Sequence, residues 1–138
     1  MSLAARRVLV AADPRAAERI IPALGPDLAV NIAHSLHAAK AQLDHRPDLI
    51  VCALYFDDSR MFDLLRHLKA DEATRGIPFI AVKTTEGALS TTLRQGIEIA
   101  CAALGAEKFV DYVEWEQQFG AATAREKMRS LARRLRDE

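Results

Sequence analysis

The side chains in this sequence with chemistry to offer are few and scattered. His34, His37, His45 and His67 fall at spacings that suit no metal. His34 and His37 would share a helix edge, but no cysteine or carboxylate nearby completes a zinc set, so solvated imidazoles are expected. Cys52 and Cys101 lie in apolar surroundings and read as buried structural thiols rather than a disulfide or redox pair. Asp57 and Asp58 would suit a phosphoryl acceptor, yet they stand several residues beyond an apolar run. A solvated loop, with Asp58 or Ser59 capping the next helix, is expected there, and Asp48 at the opposite end of that run has the same ordinary explanation.

Asp13, Lys83, Thr84 and Tyr112 each follow an apolar run, so a sheet built from those runs would gather them at one rim. Lys83 there either pairs with Asp13 or points into water. Thr84-Thr85-Glu86-Gly87 and Ser90-Thr91-Thr92 are polar enough for phosphate contact, but there is no Walker pattern and no GxGxxG. Thr84 or Thr85 is expected simply to cap a helix. No nucleophile–base set is visible, so no enzyme, no cofactor and no metal is expected.

Composition sets the frame for these residues. The 138 residues suit one domain spanning 1–138, long enough to bury a core. Nineteen basic and nineteen acidic residues give a formal net charge of zero, so no overall field draws nucleic acid or an anionic membrane. No apolar run approaches the roughly 18 residues that span a bilayer. The stretch after Arg6 and Arg7, Val8 to Ala12, is too short for a signal-peptide core, and a cytoplasmic protein is expected.

Apolar runs alternate with helix-period segments along the whole chain. Val8 to Ala12 is a strand covered on both faces. Asp13-Pro14 caps a helix carrying Ala17, Ile20, Ile21 and Leu24, which Gly25-Pro26 stops and Pro22 is expected to shorten or kink. Leu28 to Ala33 is a second strand, and Ser35 caps a helix with Leu36, Ala39 and Leu43 on one side. Leu49 to Leu54 is the third and most apolar strand. Tyr55 to Ser59 forms a loop, and Met61, Leu64, Leu65 and Leu68 line a third helix. Asp71 to Gly76 connects to a fourth strand, Pro78 to Val82. Leu89, Leu93, Ile97, Ala100 and Leu104 mark a long fourth helix ended by Gly105. Phe109-Val110 centres a fifth strand, Asp111 to Phe119 is irregular, and Ala124, Met128, Leu131 and Leu135 give a last amphipathic helix. The alternation implies right-handed crossovers, hence an α/β fold: a three-layer doubly wound domain with a five-stranded parallel sheet.

Pro47-Asp48-Leu49-Ile50-Val51, Phe62 to Lys69, Ile77 to Val82 and Gly105 to Val110 together resemble the response-regulator receiver domain, the CheY-like family, over nearly the whole chain. The resemblance implies the flavodoxin-like strand order 2-1-3-4-5. It also implies a phosphotransfer site at the strand ends: an acidic pair that helps hold magnesium, an acceptor aspartate, a hydroxyl and a lysine. Here the acidic pair falls on Ala11 and Ala12, with Asp13 one residue on. The acceptor falls on Ala53, the hydroxyl on Lys83 or Thr84, and the lysine on Tyr112. The usual Pro and Gly of the following loop are replaced near Asp57 and Met61, so another loop path is expected. Alanine supplies no nucleophile and no metal ligand, so the chain reads as a degenerate pseudo-receiver.

The expected function is therefore non-enzymatic: a non-phosphorylatable, receiver-like signalling module related to phosphorelay response regulators. It would act on another signalling protein or on a second copy of itself, with no output domain. The fourth helix reads Ile-Glu-Ile-Ala-Cys-Ala-Ala-Leu from Ile97, apolar on more than one side, where a surface helix needs one stripe. Ile97, Ile99 and Ala103, with Tyr112 and Trp115, form the candidate interaction face; burial of this helix under the segment from Asp111 to Phe119 is the competing reading. Arg125, Lys127, Arg129, Arg133, Arg134 and Arg136 crowd the last helix. Glu126, Asp137 and Glu138 dilute them, so a solvated face is expected and nucleic acid is not. The rival function is a small-molecule-binding doubly wound domain whose strand-end pocket is lined by Asp13, Lys83, Thr84 and Tyr112.

Overall fold

The computed structural model describes residues 6–136; the first five residues, and Asp137 and Glu138 of the last helix's charge pattern, lie outside them. Five parallel strands, β1 (Arg6–Ala11), β2 (Leu28–Ala33), β3 (Leu49–Ala53), β4 (Phe79–Lys83) and β5 (Lys108–Asp111), form one sheet in the order β2-β1-β3-β4-β5. That is the order the resemblance implies. The helices are α1 (Pro14–Leu24), α2 (Leu36–Gln42), the single turn α3 (Phe56–Ser59), α4 (Met61–Ala70), α5 (Thr91–Leu104), α6 (Tyr112–Phe119) and α7 (Ala121–Arg136). α1 packs on α7, and α6 packs on α7, along one side of the sheet. α4 neighbours both α2 and α5 on the other.

The apolar runs explain which strands are central. Every residue of β3 and β4 is buried, as strands covered on both faces must be. β2 lies at the edge and alternates between partly covered and exposed positions. Met61, Leu64, Leu65 and Leu68 of α4 are fully buried, as their spacing predicts. Asp13 and Ser35 cap as expected: Asp13 Oδ1 accepts from the Ala16 N–H at 2.8 Å, and Ser35 Oγ from the Ala38 N–H at 3.1 Å.

Several expectations are corrected. α1 runs through Pro22 to Leu24. Pro22 sits in the last turn, where it forfeits one helical hydrogen bond but leaves only two residues to follow, and Arg129 Nη2 donates to its carbonyl at 3.3 Å. β4 begins at Phe79 rather than Pro78 and so ends on Lys83, drawing that lysine into the sheet. α5 is capped by Ser90, whose Oγ accepts from the Leu93 N–H at 3.1 Å; Thr84 and Thr85 cap nothing, and Leu89 precedes the helix. Only Ile97 and Cys101 of α5 are buried, and Leu93, read as inward-facing, is half exposed. Asp111 to Phe119 is not irregular: Asp111 Oδ1 accepts from the Glu114 N–H at 3.1 Å and starts α6. Asp-x-x-Glu is the capping signal that predicts this helix.

Cys52 and Cys101 are both buried and unpaired. Burial pushes the Cys101 thiol up to about 11, with Glu98 adding to the shift, and burial also raises Cys52 well above its ordinary value, with Cys101 adding to it. A thiol whose pKa is raised on folding holds its proton while the unfolded chain releases it. Stability should therefore decline as pH rises from 9.0 towards about 11. Calorimetric scans across that window should show a shallower decline for Cys101→Ala than for the parent chain. Equal slopes would show that this thiol is solvated in the folded state.

Candidate functional site

The carboxyl ends of β1, β3, β4 and β5 form the rim on which the sequence places its candidate residues. Pairing sets Ala11 beside Cys52, Ala53 beside Val82, and Lys83 beside Asp111. Ala11 and Ala12 are fully buried and Ala53 nearly so. Around β1 and β3 the rim is therefore lined with methyl groups.

At β4 and β5 the rim is charged. Lys83 is 3% exposed, so it does not point into water, and its partner is not Asp13. Its Nζ lies 3.6 Å from Asp111 Oδ1 and donates to the Thr85 carbonyl at 2.6 Å. Asp13 is occupied as the cap of α1 and lies outside this pair. A buried ammonium needs both a counter-charge and hydrogen-bond acceptors, and Asp111 and Thr85 supply them.

Asp111 does more than neutralise Lys83. Its Oδ1 receives the Glu114 N–H at 3.1 Å, and its Oδ2 lies 3.3 Å from the Arg94 guanidinium. Arg94 also pairs closely with Glu114. The hydrogen bond to Glu114 raises the Arg94 pKa, with Glu114, Asp111 and Glu98 adding charge attraction against partial desolvation. One carboxylate thus joins β4, β5, α5 and α6. Neither Asp111 nor Arg94 stood out in the sequence, because no apolar periodicity marks them. The Asp111-x-x-Glu114 cap was the available signal.

The remaining candidates separate. Tyr112 is buried, and that burial raises its pKa, with Glu116 adding to it. Tyr112 and the buried Ile97 are thus withdrawn from the candidate interaction face, whereas Ile99 is 69% exposed and Ala103 is exposed. Trp115 is half-buried against α7, its ring 5.0 Å from Lys127 Nζ, which places it away from the α5 residues. Thr84 is buried, and its carbonyl accepts from Arg19 Nη1 at 3.3 Å. Beside the rim lies a hollow of about 560 Å³, lined by Asp13, Arg15, Arg19, Thr84, Thr85 and Glu86 among others. Arg19 pairs there with Glu86 and Glu116. The three alanines do not line it.

Asp58 and Ser59 do not cap α4, whose start at Arg60 has no side-chain cap. Asp57, Asp58 and Ser59 have φ of 46°, 56° and 64°, a left-handed turn of non-glycine residues. It delivers Asp57 Oδ2 to the Leu36 N–H at 2.7 Å, at the start of α2. His34 Nδ1 lies 2.7 Å from the Ala12 carbonyl, so this imidazole is engaged rather than merely solvated. Among the described residues, no three His, Cys, Asp or Glu side chains gather closely enough to hold a metal ion.

The sequence matches no family model and no curated protein. Solved structures match the fold over almost its full length. A phosphorylated cyanobacterial phytochrome response regulator, RcpA, shares 17% identity at TM-score 0.70, covering 93% of this chain and 91% of its own. A response regulator from Hahella chejuensis shares 18% at TM-score 0.71, with 95% of each chain covered. The receiver domain of a sensor histidine kinase from Pseudomonas aeruginosa, with magnesium coordinated in its active site cleft, shares 18% at TM-score 0.67, covering 98% of this chain and all of its own. The architecture is that of response-regulator receiver domains. The rim does not fit a magnesium ion: the ion takes hard oxygen ligands, and this rim offers methyl groups, an ammonium and one carboxylate, Asp111, already engaged by Lys83, Arg94 and the Glu114 N–H.

Removing Asp111 should leave a buried, uncompensated Lys83. Asp111→Ala is expected to cost about 3–5 kcal/mol in urea unfolding, whereas Lys83→Met, which leaves Asp111 its Arg94 and N–H partners, should cost about 1 kcal/mol or less. An Asp111→Ala protein as stable as the parent would show that the pair is not buried in solution.

Proposed function

We propose that this chain is a receiver-type signalling module that carries no phosphate on its sheet rim, performs no catalysis, and acts by binding another signalling protein or a second copy of itself. The observation that carries this reading is the Lys83–Asp111 pair closing the rim where β3 ends on Ala53. Phosphoryl transfer to such a rim needs a carboxylate nucleophile and a positioned cation that stabilises charge in transit. Ala53 offers no nucleophile, and Ala11 and Ala12 offer nothing to hold a metal. Lys83 is a cation, but Asp111 already neutralises it. The named neighbours include a phosphorylated response regulator and a magnesium-bound receiver, so relation to a phosphorelay is the natural setting.

The contact surface we assign to α5. Thr92, Gly96, Ile99 and Ala103 recur at four- and three-residue steps and are all exposed. Gly96 lies in the helix interior, where glycine costs about 1 kcal/mol relative to alanine. A Cβ at Gly96 would meet no atom within 4 Å, so nothing inside the molecule requires glycine there. A partner's backbone approaching beside the protruding Ile99 would. Leu93, 51% exposed, extends the apolar area.

A second reading, small-molecule binding, is favoured by the hollow of about 560 Å³ between α1 and the connection from β4 to α5. Its walls are already cross-linked by Arg19, Glu86 and Glu116, and a ligand would have to displace those pairs. The contact reading needs no such displacement.

Acetyl phosphate with magnesium should add no phosphate by intact-mass spectrometry, either to the parent chain or to Ala53→Asp, which regains a nucleophile but no metal site. A phosphorylated aspartate in the parent chain would overturn the reading. Ile99→Arg should abolish self-association in sedimentation, or capture of a co-purifying signalling protein, without lowering the unfolding midpoint. An unchanged assembly would remove α5 as the surface.

A further inference from the structure

We infer that the groove between β5, α6 and α7 binds a phosphate-bearing anion of nucleotide size. The groove encloses about 490 Å³, within the range of about 300–1,000 Å³ common to small-molecule sites. It shares no residue with the hollow beside the strand-end rim. Lys108, Lys127 and Arg134 line it, with Thr123, Ser130 and Trp115. Thr123, Lys127, Ser130 and Arg134 recur one turn apart along α7, and Lys108 faces them from the start of β5.

The charge in this groove is local and in excess. Three cations meet one carboxylate, Glu126, on a chain whose formal net charge is zero. Among the described residues, Lys108, Lys127 and Arg134 form no ion pair, whereas Arg19, Arg94 and Arg136 each hold a carboxylate. Lys127 is instead held by rings. Its Nζ lies 5.0 Å from the centre of the Trp115 ring and 4.7 Å from that of Phe119. Attraction to the ring faces positions an ammonium without neutralising it, unlike a salt bridge. The groove therefore presents an ammonium held against two rings rather than a carboxylate, beside a guanidinium and two hydroxyl donors.

That donor set suits phosphate. Its oxygens accept charge-assisted bonds from lysine and arginine and further bonds from hydroxyls. A carboxylate offers fewer oxygens for as many converging donors. The half-buried indole of Trp115 adds apolar surface to the groove wall beside Lys127. The inference is independent of the contact assigned to α5.

The test is a titration of the isotope-labelled full chain by nuclear magnetic resonance. The probes are adenosine triphosphate, inorganic triphosphate and a polyglutamate peptide at one moderate ionic strength. Saturable shifts on Lys108, the Trp115 indole and residues 123–134 are expected with one or both triphosphates; saturation by the nucleotide alone identifies it as the ligand class, and saturation by both identifies the phosphates as the recognised group. Lys108→Gln with Arg134→Gln, both exposed positions, should weaken binding by about tenfold or more. Arg133→Gln, an exposed cation of α7 outside the groove, should leave it unchanged. Absence of saturable shifts, tighter binding of polyglutamate, or equal loss in the Arg133→Gln control would overturn the inference.

Discussion

The carboxylate of Asp111 is the constraint around which this end of the molecule is built. Parallel sheets bring strand ends together at one rim, and polar groups brought there must find partners or remain in water. Lys83 is drawn into the sheet because β4 extends one residue further than its apolar run. Once buried, its ammonium requires a fixed anion. Asp111 is its register partner on β5, so the pairing of backbones itself supplies the neighbour. The same carboxylate then caps α6 and holds Arg94 of α5. Breaking it would disturb four elements together, which is why its cost belongs to burial rather than to the modest value of a surface ion pair.

The alanines and the lysine are complementary consequences of one arrangement. With Ala11, Ala12 and Ala53 at the ends of β1 and β3, the side chains buried there carry no charge, and Asp13, which follows Ala12, caps α1. The chain stabilises the rest of the rim internally, with Lys83 paired to Asp111 across adjacent strands. A rim closed by its own charges does not depend on an exchangeable ion or a transient covalent group for its shape. On this arrangement rests the proposal that the chain acts by contact rather than by chemistry at the strand ends.

Much of the architecture was legible in the residues. Continuous apolar runs marked β3 and β4, and the inner stripe of α4 followed from Met61, Leu64, Leu65 and Leu68. The caps at Asp13 and Ser35 were readable because a side-chain oxygen acts within a few residues of itself. The misreadings of Lys83, Asp57 and Leu93 have a common cause, in that each depended on something distant in sequence. The partner of Lys83 was set by the register between β4 and β5, and Asp57 serves α2 rather than its own loop. Leu93 fitted a helical period yet faces outward, because the sheet covers α5 only along Ile97 and Cys101. The helix α6 was missed for a different reason. Its apolar residues are too few for periodicity to register, although its cap was present at Asp111 and Glu114.

Exposure on α5 also follows from the position of β5. The strand is short and an edge, so α5, which packs on it, finds no broad apolar surface to cover. α5 therefore buries one narrow line and leaves Ile99 and the glycine beside it in the open. α7 meets α1 and α6 with Met128, Leu131 and Leu135 and turns Lys127 and Arg134 towards the groove. Local propensity would favour alanine at Gly96 and a carboxylate beside each free cation. The sequence keeps glycine on one helix and rings in place of a carboxylate on the other. Departures of this kind concentrate where a surface serves something other than its own fold, and here they fall on two surfaces, both away from the closed rim.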